Sequence, residues 1–128
     1  MKALLVLVAL GVTIAPAAAQ RHRVPLGTET VINNAANGGI RNFQPGPSGS
    51  STIYLQDRRL LWYRVDLSGP CFPERSLNQV GFRTGPDNRL DRLSSIYSLR
   101  FAKRVCGVRS ITASAPPAGQ PGGPKPSR

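Results

Sequence analysis

The sequence predicts a mainly β protein: a small antiparallel sheet or partly open barrel of about five to six short strands, with one disulfide and flexible tails. Three observations carry this. Apolar residues alternate with polar ones over short runs, most clearly from Leu60 to Leu67, where Leu61, Tyr63, Val65 and Leu67 are all apolar or aromatic; period two over eight residues is the mark of a half-buried strand. Gly and Pro clusters fall between most of these runs, as in compact all-β domains. The chain has 128 residues and two cysteines, which allows one domain and excludes a TIM barrel or a full dinucleotide fold.

In chain order, residues 1–19 read as a secretory signal peptide. Met1-Lys2 is a positive start, Ala3–Ala15 is apolar or small, Pro16 breaks the run and Ala17-Ala18-Ala19 supplies a cleavage pattern before Gln20. A membrane anchor is the alternative, but a span needs about 20 apolar residues and Gln20-Arg21-His22-Arg23 ends the run early. The protein is therefore expected to be exported, to the periplasm or beyond, without a transmembrane segment. Residues 20–37 lack a sustained period and read as a loose arm, in which Thr30–Ile32 adds a short edge strand.

The β domain is expected over residues 38–112. Gln44–Ser51 is a loop by composition. Ser51–Gln56 and Leu60–Leu67 form a hairpin around the polar turn Asp57-Arg58-Arg59. Phe72–Leu77 holds one helical turn, with Pro73 at its start. Asn78–Thr84 is a third strand with Val80 and Phe82 inward, and Gly85-Pro86-Asp87-Asn88 is a turn. Arg92–Phe101 is a fourth strand with Leu93, Tyr97, Leu99 and Phe101 on one parity; Leu90–Ala102 also fits a helical spacing, so a helix is the alternative there. Val105–Ile111 is the last strand. Residues 113–128 hold five Pro and three Gly with no large apolar side chain, the composition of a disordered tail.

A domain of this size often needs a staple. Cys71 and Cys106 are an even pair beside strands, in a chain addressed to an oxidising compartment. Their bridge contributes about 4 kcal/mol on the chain-entropy account. A redox pair is the alternative, although their separation is far from C-x-x-C.

The catalytic inventory is thin. His22 is the only histidine and falls in the arm, where a solvated tail residue is expected. The acids Asp57, Asp66, Glu74, Asp87 and Asp91 each have an arginine within two residues: Arg58, Arg64, Arg75, Arg89 and Arg92. Neighbouring arginine lowers a carboxyl pKa, the wrong direction for a general acid. Asp87-Asn88-Arg89-Leu90-Asp91 resembles part of a calcium loop, but a cation occupies its third position. No enzymatic activity, metal or cofactor is expected.

Charge is the strong signal. Within residues 38–112 eleven Arg and one Lys face five acids, a net of +7, which attracts anionic partners. Export points this attraction toward envelope phosphates, acidic glycans or anionic headgroups rather than nucleic acid. Trp62 and Arg64 share one parity of their strand, and Tyr54 and Arg83 are expected on the same face; arginine among aromatics suits phosphate or ring recognition. A generic basic surface is the competing reading.

Trp62-Tyr63-Arg64-Val65-Asp66-Leu67-Ser68-Gly69-Pro70-Cys71, a W-Y-R-x-x-L-x-G-P-C run, resembles the core of a family of small secreted proteobacterial proteins known only as a domain of unknown function. Val80-Gly81-Phe82-Arg83-Thr84, Leu90-Asp91-Arg92 and the late Cys106 fit the same pattern. The resemblance covers roughly Ile53 to Ile111 and implies a secreted, disulfide-closed module; it implies no activity. The expected function is thus a non-enzymatic exported module binding anionic envelope components through the basic aromatic face of Trp62, Arg64, Tyr54 and Arg83. A structural or inhibitor-like domain that acts through a protein interface is the alternative, and a small hydrolase is the least favoured.

Overall fold

A computed structural model of the chain describes Gly11 and residues 22–72, 80–99 and 104–125. The signal peptide expected at 1–19 and the helical turn expected at 72–77 lie, but for Gly11 and Phe72, outside the described residues. Six antiparallel strands are present among the described residues: β1 (Ile40–Pro45), β2 (Thr52–Asp57), β3 (Trp62–Leu67), β4 (Val80–Arg83), β5 (Ser95–Ser98) and β6 (Val105–Ser114). They form one curled sheet of order β1-β2-β3-β6-β5-β4. One 3-10 turn, Ala35–Asn37, precedes them. The mainly β class holds, and the helical alternative at 90–102 gives way to β5 in its described part.

The β2–β3 hairpin is set by its turn. Ile53 pairs with Val65 and Leu55 with Tyr63, so the alternating apolar residues of both strands face one side. Leu61, Tyr63, Val65 and Leu67 are all buried, as their parity predicts. Leu60 closes the turn with φ 68°; a left-handed residue after two turn residues lets the right-handed twist of the strands meet.

β1 is not legible by period two. Arg41 is an extra residue opposite β2, because Ile40 pairs with Asp57 while Asn42 already pairs with Gln56. This bulge lets Ile40 and Phe43, three residues apart, both pack on the core. β6 carries a second bulge: Leu67 pairs with Val108 and Asp66 with Ser110, leaving Arg109 unpaired. The inward parity switches there from Cys106 and Val108 to Ile111 and Ala113.

β5 corrects the expected inward face. The sequence pattern expects Leu93, Tyr97 and Leu99 inside, yet Ile96 and Ser98 are fully buried while Leu93 is 97% exposed. Leu93 lies before the strand, in a turn where its N–H donates to the Asp91 carboxylate at 2.9 Å. A one-residue slip moves a whole strand to the other face, and here a serine lies inside while leucines lie outside. Phe101, the last member of that parity, is outside the described residues.

The arm differs from its expectation. β5 pairs only with the first part of β6, and residues 27–30 take its place beside the second part. Gly27 N–H donates to Ala113 O at 2.8 Å, Thr30 N–H to Ile111 O at 2.9 Å, and Ala113 N–H to Thr28 O at 3.0 Å. The pairing expected at Thr30–Ile32 is thus isolated bridging, from Glu29 to Thr112 and from Ile32 to Leu90, and it fills a gap rather than extending an edge. Ile32 and Ala35 are buried in the core. His22 is half-buried, its ring 4.9 Å from that of Tyr63 and edge-on to it, with Nε2 at hydrogen-bond distance from the Trp62 carbonyl. A small sheet curled by two bulges leaves an open side over its apolar face, and the arm covers it.

The tail also packs. β6 runs two residues past the expected boundary at 112, with Ala113 buried. Beyond it Pro117 is buried, and Gln44 Nε2 donates to Ala118 O while Gln120 Nε2 donates to Gln44 Oε1, each at 2.8 Å. Cys71 and Cys106 are bonded, with Cα atoms 6.2 Å apart. Among the described residues no helix is long and apolar enough to cross a membrane.

Candidate functional site

The side chains opposite the core are set by the same registers. Tyr54 pairs with Arg64 and Thr52 with Asp66 across β2–β3; Arg64 pairs with Thr112 and Asp66 with Ser110 across β3–β6. Tyr54 and Arg64, expected on one face, are therefore direct cross-strand neighbours. The bulge adds Arg109 beside Ser110, because an inserted residue re-aims a side chain that strict alternation would send to the other side.

Asp66 is the hub of this face. Thr52 Oγ1 donates to its Oδ1 at 2.7 Å, Ser110 Oγ to its Oδ2 at 3.1 Å, and Arg64 Nε to its Oδ1 at 3.2 Å. Partial burial pushes the Asp66 carboxyl up, but the hydrogen bonds from Thr52, Arg64 and Ser110 and the Arg64 charge outweigh it and hold it below the usual carboxylate range. Asp66 thereby stays ionised and fixes the Arg64 guanidinium. Only Nε of Arg64 is engaged among the described residues, so four of its five N–H donors are open. Arg109 is exposed. Ser50, Ser51, Thr52, Ser110, Arg64 and Arg109 line a cleft of about 590 Å³ around Asp66. Two arginines and several hydroxyls lining one cleft suit an anionic group bearing several acceptor oxygens.

The other two expected site residues are elsewhere. Trp62 belongs to this face by register, opposite Gln56 and Ser114, but it is only 3% exposed and so offers almost no surface to a ligand there. Arg83 is on β4 at the far edge of the sheet, 5.3 Å above the Tyr97 ring. Sequence reasoning did not single out Arg109, Thr52 and Ser110. Their signal was the hydroxyl-rich loop Ser48–Thr52 and a basic residue in the last strand, but the bulge that joins them depends on β3.

A second constellation is buried. Asp57, 5% exposed, accepts from Arg59 N–H at 2.9 Å, Leu61 N–H at 3.0 Å and Tyr63 Oη at 2.8 Å, and is paired with Arg59 Nη2 at 3.1 Å. Desolvation and the hydrogen bond to Asp57 push the Tyr63 phenol up to about 12. The Asp57 oxygens are spent on the backbone of the turn, the Tyr63 hydroxyl and Arg59, so the cluster reads as structural. The ion pairs expected between near neighbours form at Asp66–Arg64 and Asp87–Arg89; Asp57 takes Arg59 rather than Arg58, and Arg92 reaches Glu29 rather than Asp91. Glu74 is outside the described residues. The Asp87 oxygens turn to Arg89 N–H and Nε.

Compared with known proteins, the chain matches no family model, no curated protein and no solved structure.

Proposed function

We propose that this protein is a non-enzymatic exported module that binds anionic components of the cell envelope through the outer face of β2, β3 and β6. The observation that carries the reading is the cleft whose lining holds both Arg64 and Arg109 together with the hydroxyls of Ser50, Ser51, Thr52 and Ser110. The net charge of +11 supports it by drawing anions toward the whole surface. The site is revised from the sequence reading: Arg64 remains, Arg109 and the hydroxyls join it, and Trp62, Arg83 and Tyr54, which neighbours Arg64 but does not line the cleft, leave.

Contacts of this kind are electrostatic and screened over about 8 Å at physiological salt. Retention of the mature protein on envelope fractions is expected to fall steeply between low and high salt. The Arg64→Ala, Arg109→Ala pair is expected to reduce low-salt retention about tenfold, equivalent to about 1.4 kcal/mol. Arg83→Ala, which removes the same charge elsewhere, is the control. Equal losses from Arg83→Ala and from either site variant alone would make the charge generic and overturn the site; no retention at any salt would overturn the reading itself.

A further inference from the structure

The single tryptophan of the chain sits on the wrong side of the sheet for a core residue. Trp62 is opposite Gln56 and Ser114 on the face away from the main apolar cluster, where Arg64, two residues on, is exposed. Yet Trp62 is 3% exposed. Its cover follows from connectivity. β6 ends at Ser114, beside Trp62, and four residues later the Ala118 carbonyl accepts from the side chain of Gln44. Gln44 is the partner of Tyr54 and so lies on the same outer face. From β6 to β1 the way leads over β3 and β2, three strand spacings or about 14 Å, which residues 115–118 and the reach of the Gln44 side chain span together. The segment Ala115-Pro116-Pro117 therefore passes across the row that contains Trp62, and Pro117 within it is buried.

After this crossing the chain folds on itself. Gln120 N–H donates to Pro117 O at 3.1 Å and Gly123 N–H to Gln120 O at 2.9 Å. The tail thus carries a proline pair across the row of Trp62, next to a glutamine side chain that donates to its backbone. Aromatic grooves with a side-chain donor to a carbonyl recognise polyproline-type segments, whose stiffness lowers the ordering cost.

From this arrangement we infer that the outer face at Trp62, Gln44 and Tyr54 is a docking groove for extended proline-rich segments, filled in this chain by its own residues 115–125. The occupant supplies the chemistry of the ligand: two consecutive prolines on the path past Trp62 and the Ala118 carbonyl accepting from Gln44. A tethered segment competes at an effective concentration of about 1 mM, so the groove takes a partner's proline-rich segment only when the tail is displaced. The inference stands on Trp62 and Gln44 and does not use the Arg64–Arg109 cleft.

The test uses the full chain with Pro116→Ser, Pro117→Ser and Gln120→Ser, which loosens the tail and leaves the groove untouched. Fold retention is checked by far-ultraviolet circular dichroism and by the intact disulfide. Because the chain holds one tryptophan, its fluorescence reports the groove directly. In the triple variant acrylamide quenching of Trp62 is expected to rise at least threefold and its emission to move to longer wavelength. A synthetic peptide of residues 115–125 added at about 1 mM is expected to reverse both changes, whereas the same peptide with both prolines replaced by serine does not. Unchanged quenching in the triple variant would overturn the inference, as would failure of the native peptide to protect Trp62 or equal protection by the serine peptide. Gly123→Ala provides a second variant, since a Cβ there collides with the Pro116 and Pro117 carbonyls. Its quenching is expected to rise without any change to the prolines.

Discussion

At the scale of single residues, Asp57 and Tyr63 show how a small sheet tolerates a buried carboxylate. Asp57 accepts two backbone N–H groups of its own turn and the Tyr63 hydroxyl, so its desolvation is met by hydrogen bonds rather than by the exposed Arg59 alone. Asp57→Ala leaves buried donors without partners and is expected to cost about 3 kcal/mol, read from urea denaturation. Tyr63 adds a pH signature. Folding raises its phenol from 10.0 to about 12, so the neutral form favours the folded state below pH 10, and that contribution is lost as the pH rises through about 12. An ultraviolet titration is expected to show a phenolate step near pH 12 that Tyr63→Phe removes. Asp66 works in the opposite sense. Its lowered carboxyl contributes stability above its unfolded value of 3.8, lost as the pH falls through the folded value. Asp66→Asn is expected to flatten the acid limb of the stability profile.

At the scale of elements, turns and bulges decide what the strands present. Leu60 holds φ 68° and is largely exposed. A left-handed side-chain residue costs roughly 1–2 kcal/mol, and glycine returns part of that as unfolded-chain entropy. Leu60→Gly is therefore expected to stabilise the hairpin by about 0.5–1 kcal/mol, seen as a higher Tm. Gly81 is the reverse case. Any Cβ at Gly81 runs into the ring of its cross-strand neighbour Tyr97, the ring beneath Arg83. Gly81→Ala is expected to displace Tyr97 and cost about 1–3 kcal/mol, with Tyr97→Ala/Gly81→Ala recovering part of the loss in a double-mutant cycle.

At the scale of the whole molecule, stability is shared between the sheet and the segments that flank it. The Cys71–Cys106 bridge ties the loop after β3 to the start of β6. Replacing both cysteines by serine is expected to cost about 2–5 kcal/mol, and mass spectrometry of unreduced protein is expected to find no free thiol. The tail is not neutral either. Deleting residues 113–128 removes Ala113 and Ser114 from β6, the buried Pro117 and the hydrogen bonds of the tail with Gln44. A fall in Tm of several degrees is expected from such a loss in a domain of this size, whereas an unchanged Tm would show that the tail adds nothing to the fold.

The sequence by itself determined the β class, the β2–β3 hairpin, its inward residues and the cysteine pair, because each rests on local alternation, on turn chemistry or on counting. It also set Tyr54 and Arg64 on one face, but the turn takes in Leu60 and so decided that they are direct partners. The tertiary structure alone decided the rest. β1 was hidden because the bulge at Arg41 breaks period two, and β5 misled because its buried face holds Ser98 while Leu93 and Leu99 point outward. Arg109 joined the cleft only through a bulge defined against β3. Ile32 is buried in a core built by strands far away in the chain and Pro117 is buried in the tail, and segments poor in apolar residues carry no periodic signal of that fate. Local patterns specify which residues seek cover; only the packed sheet, with its curl and its gaps, specifies what covers them.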